Sequence, residues 1–260
     1  MNIGIIIGVV AGFITLAFGV LVAGGSLLMF WDAPSILITM GGAWCAMMVS
    51  YPFSKLMEIP VFVRKVVFPA KYNPVELIVT LVQFSEKSRR EGLLALEDDL
   101  DALDEPFLKK GLQLVVDGTD PELVRVILET DIDQMAERHG TNKKIFDDFA
   151  NLAPSFGMIG TLLGLILLLA NLNDKAMVGP YLSVALITTL YGAIVAYLVL
   201  TPLASALDLL TTDEIVFKSV AVMGVLSIQA GDNPRILKEK LVAFIPPEMR
   251  TGLLEDDKGD

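Results

Sequence analysis

Five residues carry the chemistry this sequence offers within its apolar stretches. Pro154 and Thr161 lie in one charge-free run, and Thr188, Thr189 and Pro202 lie in the next. Proline has no N–H to give, so Pro154 leaves the carbonyl of Ala150 without its helical partner, and Pro202 does the same for Leu198. Thr161 follows Pro154 by seven residues, two turns along nearly the same helix face. Sodium needs several oxygen ligands in place of its water, and hydroxyls and loose carbonyls are suitable ones; a proton needs none of them. The three threonines therefore favour Na⁺ over H⁺, with H⁺ kept as the alternative. A plainer reading stands beside this one. Buried threonines bond back to their own helix, and proline and glycine are common in spans through which nothing passes.

The residues that are missing narrow the choice further. The apolar runs hold no Asp, Glu, His, Lys or Arg. Acid–base catalysis, metal ligation and proton relay at depth need such groups, so no enzyme, bound metal or cofactor is expected. If ions cross here, a partner must bring the carboxylate. His139 is the sole histidine and is read as a surface or packing residue, and Cys45 alone cannot form a disulfide or a thiolate metal site within the chain. A net charge of −11 argues against a nucleic-acid partner.

The elements that position these residues are membrane spans. Residues 1–31, 33–54, 149–173 and 176–207 are free of charge, which predicts spans at about 3–22, 35–53, 150–172 and 181–203. The third offers small residues, Ala153, Gly157, Gly160 and Gly164, on one side. The fourth answers with Thr188, Gly192 and Ala196 at steps of four. Gly4, Gly8 and Gly12 make a similar stripe on the first span, facing another helix of this subunit or of a neighbour. Asp32 sits at the outer mouth of the second span, either as a helix-start acid or as a group that concentrates cations at a pore entrance.

Thirteen of the twenty Lys and Arg residues lie between Lys55 and Lys144, and six follow Asp208. The positive-inside rule then places both termini and the middle of the chain in the cytoplasm, with loops 24–34 and 174–180 outside. The expected organisation is an all-α polytopic membrane protein. It has a span hairpin at 1–54, a cytoplasmic helical domain at 55–148, a second hairpin at 149–207 and cytoplasmic helices with an acidic tail at 208–260. Asn73-Pro74-Val75-Glu76 reads as a helix start. A second helix is expected after Gly92, with Leu93, Leu96, Leu100 and Leu103 inward and an acidic outer face. A third opens at Asp120-Pro121 and runs into the third span. The chain stays helical to about Gln229, turns at Gly231-Asp232-Asn233-Pro234, and makes a short helix that ends before Pro246-Pro247. The acidic end from Glu248 is expected to be disordered.

The segments NLAPSFGMIGTLLGLI, VALITTLYGAIVAYLVLTPLA, SRREGLLALEDD, DGTDPELVR and GVLSIQAGDNPR resemble the motility protein A family (MotA/PomA) of flagellar stator subunits. The likeness runs over nearly the whole chain and is nearest to the sodium-driven PomA-type branch. It implies an inner-membrane protein that forms a ring, taken as a pentamer, around single-span MotB/PomB-type partners. Each partner would contribute a transmembrane Asp and a cell-wall anchor. It also implies coupling roles for Pro154 and Pro202, an ion path bordered by Thr161 and Thr189 with Thr188 adjacent, and contacts from Arg89, Arg90, Glu97 and Asp98 to the rotor switch protein FliG. The acidic run continues through Asp99, but Leu100 stands where some relatives have another acid. Two other functions compete. An energiser resembling ExbB and TolQ would have three spans and lack the first hairpin, and a passive membrane scaffold would dock cytoplasmic proteins without carrying ions.

Overall fold

The structure is a computed structural model that describes residues 3–248 and 250; every described element is helical. The spans come first in the chain. Helix α1 is Ile3–Val22, a 3₁₀ turn follows at Leu27–Phe30, and α2 is Ala33–Ser50. Short helices α3 (Phe53–Leu56) and α4 (Ile59–Val67) lead to α5 (Pro74–Glu91), a 3₁₀ turn (Leu93–Leu96) and a single turn α6 (Glu97–Leu100). Then come α7 (Pro106–Val116), α8 (Pro121–Ala170), α9 (Lys175–Gln229) and α10 (Pro234–Val242). Four of these, α1, α2, α8 and α9, are long and apolar enough to cross a membrane.

Most helix starts are written in the same local code. Asp32, Asn73, Glu105, Asp120, Asp174 and Asn233 each accept a backbone N–H from the first turn of the helix they precede. Such a cap satisfies an orphan donor, and a proline at the first or second position, as in α2, α5, α7 and α10, wastes no hydrogen bond. Asp174 starts α9 at Lys175, so the expected outer loop at 174–180 is mostly helix, with Pro180 inside it. The second span likewise runs Ala33–Ser50 rather than 35–53, ending where Tyr51 turns extended ahead of Pro52.

The long helices are as the sequence led one to expect. Helix α8 runs fifty residues through Pro154 without a break, about 75 Å at 1.5 Å per residue. Helix α9 reaches Gln229. It is not uniform, however. Val195–Leu200, just before Pro202, forms a π turn in which the N–H of Thr201 donates to the carbonyl of Ala196. A wider turn there accommodates a proline that cannot supply the regular ladder bond.

Two details of the middle region correct the sequence reading. The helix expected after Gly92 is broken into the 3₁₀ turn and α6, although Leu96 and Leu100 are buried as expected. Helix α7 was not foreseen. Its signal was present in the Glu105-Pro106 start and in Phe107, Leu108, Leu112 and Val115, all buried on one side. At the other end, Pro247 and Glu248 are helical, and the acidic tail from Thr251 onward lies outside the described residues.

The chain packs as two units, Met1–Ala70 with His139–Leu210, and Lys71–Arg138 with Thr211–Asp260. Segments grouped by charge as 55–148 and 208–260 are thus regrouped by packing. In the first unit Met47, Leu56, Phe62, Val66, Ile145, Phe146 and Leu203 form the core outside the small-residue contacts. In the second, α5, α7 and the early part of α8 close on Phe217, Val220, Val225 and Leu237.

Candidate functional site

Within the first unit, α8 and α9 touch through glycines. A methyl group built on Gly157 would meet the Thr188 carbonyl oxygen at 2.9 Å, and one on Gly164 would meet the amide nitrogen of Ala185 at 2.8 Å. From the other side, a methyl on Gly192 would meet the Ala153 carbonyl oxygen at 2.6 Å and the Pro154 Cα at 2.9 Å. Only residues without a side chain permit this approach, the use that small residues serve between membrane helices. Ala153, Ala185, Thr188 and Ala196 are all buried in the same seam.

The close approach assembles a cluster of oxygens. Thr161 Oγ1 lies 2.5 Å from Thr189 Oγ1 and 2.8 Å from the Ala185 carbonyl, to which it can donate. It also lies 3.1 Å from the Gly157 carbonyl, which Thr189 Oγ1 approaches to 3.3 Å. Two hydroxyls and two carbonyls thus converge from two helices. Among the described residues no group of His, Cys, Asp or Glu is arranged to hold a metal. Thr161 is half-buried and Thr189 exposed; Leu186 and Leu182, three and seven residues before Thr189 on the same helix face, are exposed, as is Leu162 next to Thr161.

Thr188 faces elsewhere. It is fully buried, its hydroxyl bonds back to the Val184 carbonyl at 2.9 Å, and its own carbonyl accepts from Thr39 Oγ1 at 3.2 Å. Its side chain fills the space beside Gly160. Thr39 was not singled out by the sequence; its only signal there is a hydroxyl inside a charge-free run.

Asp32 caps α2, accepting from the Ser35 amide at 2.9 Å and from the Ser35 hydroxyl. Its own N–H donates to Tyr191 Oη at 3.2 Å, and that hydroxyl in turn donates to the Phe30 carbonyl. Tyr191 therefore ties the turn before α2 to α9, a long-range contact without a sequence signature. Pro154 packs at the Gly192 contact, whereas Pro202 is exposed just past the π turn. On α1, Gly12 takes the Leu198 side chain while Gly8 has nothing within 4 Å.

In the second unit the charges singled out from the sequence stand on the surface at the end of α5 and on α6. Arg89, Arg90, Glu97 and Asp98 are all exposed. Arg90 pairs with Glu86 at 3.3 Å. Among the described residues Arg89 and Glu97 make no ion pair. Lys87, not anticipated, holds Asp99 at 2.6 Å, and that hydrogen bond raises its ammonium above its ordinary range. The pair pins α6 to α5 and leaves Arg89 and Glu97 pointing outward.

The fold defines a class, the polytopic helical membrane protein. Residues 99–217 match the MotA/TolQ/ExbB proton channel family, and residues 6–92 match the N-terminal region of motility protein A. The chain is 45% identical to motility protein A of Borreliella burgdorferi over 97% of both chains. It is 36% identical to chemotaxis protein PomA of Vibrio alginolyticus over 94% of this chain and 96% of that one. Its fold superposes on the flagellar MotAB stator complex from Bacillus subtilis with a TM-score of 0.86, at 30% identity, covering 94% of this chain and 97% of that one.

The chain belongs to the motility protein A family. Four apolar helices and that membership make it an inner-membrane protein. The N-terminal match covers the first two spans, the feature by which the sequence set this chain apart from ExbB and TolQ. The finer expectation, a place in the PomA branch, is not singled out by these likenesses, since a motility protein A stands at higher identity than PomA.

Proposed function

We propose that this chain is the channel-forming stator subunit of a flagellar motor, with Na⁺ as the ion that drives it. The observation carrying the proposal is the meeting of Thr161 and Thr189 with the Gly157 and Ala185 carbonyls, within two stretches, 149–173 and 176–207, that hold no Asp, Glu, His, Lys or Arg. Oxygens of this kind can replace part of the hydration shell of Na⁺. The missing negative charge would come from the transmembrane Asp of a single-span partner of the MotB/PomB type, seated against Leu162, Leu182 and Leu186. The likeness to the MotAB stator complex supports such a partner and a ring of subunits, taken as five.

In this reading both termini are cytoplasmic and Asp32 brings one negative charge to the outer end of the path. Thr188 borders it by holding α8 and α9 in register. One charge moving down the membrane potential releases ~2.3 kcal/mol per 100 mV. Each passage shifts α8 and α9 about Pro154 and Pro202, the ring turns against the anchored partner, and Arg89, Arg90, Glu97 and Asp98 push FliG. Weak, steerable charge contacts suit a partner that must be released at every step.

The test is motility in a strain deleted for this gene and its partner, complemented with both, with swimming speed followed against external Na⁺ at fixed pH. Speed that rises with Na⁺ supports the full proposal. Restored swimming that ignores Na⁺ overturns the ion and keeps the stator. No restored swimming overturns the stator role.

A further inference from the structure

Eight residues separate helix α4 from the end of α2: Tyr51, Pro52, the short α3, Met57 and Glu58. One side of it is core: Phe62 and Val66 are buried among Leu56, Ile145 and Phe146, with the Phe62 ring edge-on to Phe146. The opposite side presents Val61, Arg64 and Lys65, and Phe68 follows just past the helix end, all four exposed. Val61 is 52% and Phe68 58% exposed, and Phe53 and Met57 on and beside α3 are as open. Lys55 is paired with Glu58 at 3.1 Å, whereas Arg64 and Lys65 have no ion-pair partner among the described residues.

Water suits the two cations and not the four apolar groups; a protein core suits the reverse. The boundary between headgroups and acyl chains suits both, because the apolar side chains dip inward while the long basic stems reach back to the phosphates. The position fits as well, immediately beyond the end of a span on the side the positive charges mark as cytoplasmic. We infer that α4 is an interfacial helix whose outward side binds the headgroups of anionic phospholipids. This rests on the membrane location of the chain and is independent of which ion it carries.

The experiment incubates the full-length chain, purified in neutral detergent, with an equimolar mixture of phosphatidylglycerol and phosphatidylcholine. It is then washed at low and at high salt, and the retained lipids are quantified by mass spectrometry. Phosphatidylglycerol should be retained in preference, and less so after high salt. Replacing both cations (R64Q/K65Q) should lower the preference by roughly 30-fold, as for two basic residues at an anionic surface. The pair R64K/K65R should keep it, and K238Q/K240Q, remote in sequence, should leave it unchanged. Equal retention of the two lipids by the native chain, a preference indifferent to salt, or an undiminished preference in R64Q/K65Q would each overturn the assignment. If R64Q/K65Q does not fold, the salt dependence of the native chain still decides.

Discussion

The hydroxyls of Thr161 and Thr189 lie 2.5 Å apart across 28 residues of sequence. Their meeting depends on Gly157, whose missing side chain lets the backbone of Thr188 and Thr189 pass within van der Waals contact of α8. Removing either hydroxyl leaves the helix seam intact and takes one oxygen from the cluster. Thr161→Ala is expected to raise the Na⁺ needed for half-maximal swimming speed by about tenfold, equivalent to ~1.4 kcal/mol. Thr161→Ser should restore it. Unchanged Na⁺ dependence in a normally inserted Thr161→Ala protein would remove Thr161 from the path.

Two glycines give a paired prediction. In Gly157→Ala the new methyl would stand 2.9 Å from the Thr188 carbonyl oxygen, with backbone on both sides and nothing flexible to yield. Overpacking of this kind costs about 1–3 kcal/mol, so the variant should unfold at lower temperature in detergent and lose motility. Gly8→Ala meets nothing within 4 Å, and its own thermal unfolding should match that of the native chain.

Pro202 makes a prediction about backbone geometry. An alanine there supplies the missing N–H and lets the wide turn at Val195–Leu200 close into a regular α-helix. Pro202→Ala should assemble in the membrane and fail to rotate, as should Pro154→Ala. Slower amide exchange through 195–203 should accompany Pro202→Ala. Normal swimming by either variant would refute coupling at that proline.

In the second unit, Glu97 is exposed and makes no ion pair among the described residues, while Asp99 is held by Lys87. Glu97→Lys should therefore lower torque with little effect on folding, an exposed charge being worth ~0–1 kcal/mol to stability. Reversal of the facing charge on FliG should partly restore the torque. If no reversal on FliG restores any of it, the charge-contact account of Glu97 fails. Lys87→Ala, by contrast, should loosen α6 and disturb Glu97 indirectly, so no single rotor reversal should rescue it.

Acid stability gives a test in the second unit that does not involve ions or rotors. Asp232 accepts from Lys240 at 2.7 Å, and that hydrogen bond, with a second from Ser227, holds its carboxyl below the usual carboxylate value. A depressed folded value means the contribution is present above the ordinary carboxylate range, about pH 4, and is lost as pH falls through the folded value. Asp232→Asn should reduce thermal stability at neutral pH and flatten its decline below about pH 4. Equal acid dependence in both proteins would show the pair to be immaterial.

What the sequence determined by itself was local. Charge-free length made the spans, because backbone that crosses hydrocarbon must satisfy its own hydrogen bonds as helix and cannot carry unpaired charge. Asn73-Pro74 and Asn233-Pro234 announced helix starts because a side-chain oxygen and a missing N–H act within one turn. Helix α7 was legible in the same terms at Glu105-Pro106 and went unread. Tertiary structure decided the rest. Thr188 and Thr189 are neighbours in sequence, yet a turn of about 100° per residue sends one into the seam and the other to the open side. Which one goes where is set by the contacts of Gly157, Gly160 and Gly192 with a helix some thirty residues away, and no local pattern encodes that rotation. The same holds for the hold of Tyr191 on the turn before Asp32, for the π turn ahead of Pro202, and for the division of 55–148 between two packed units. Each depends on which surfaces bury one another, and that is a property of the assembled chain.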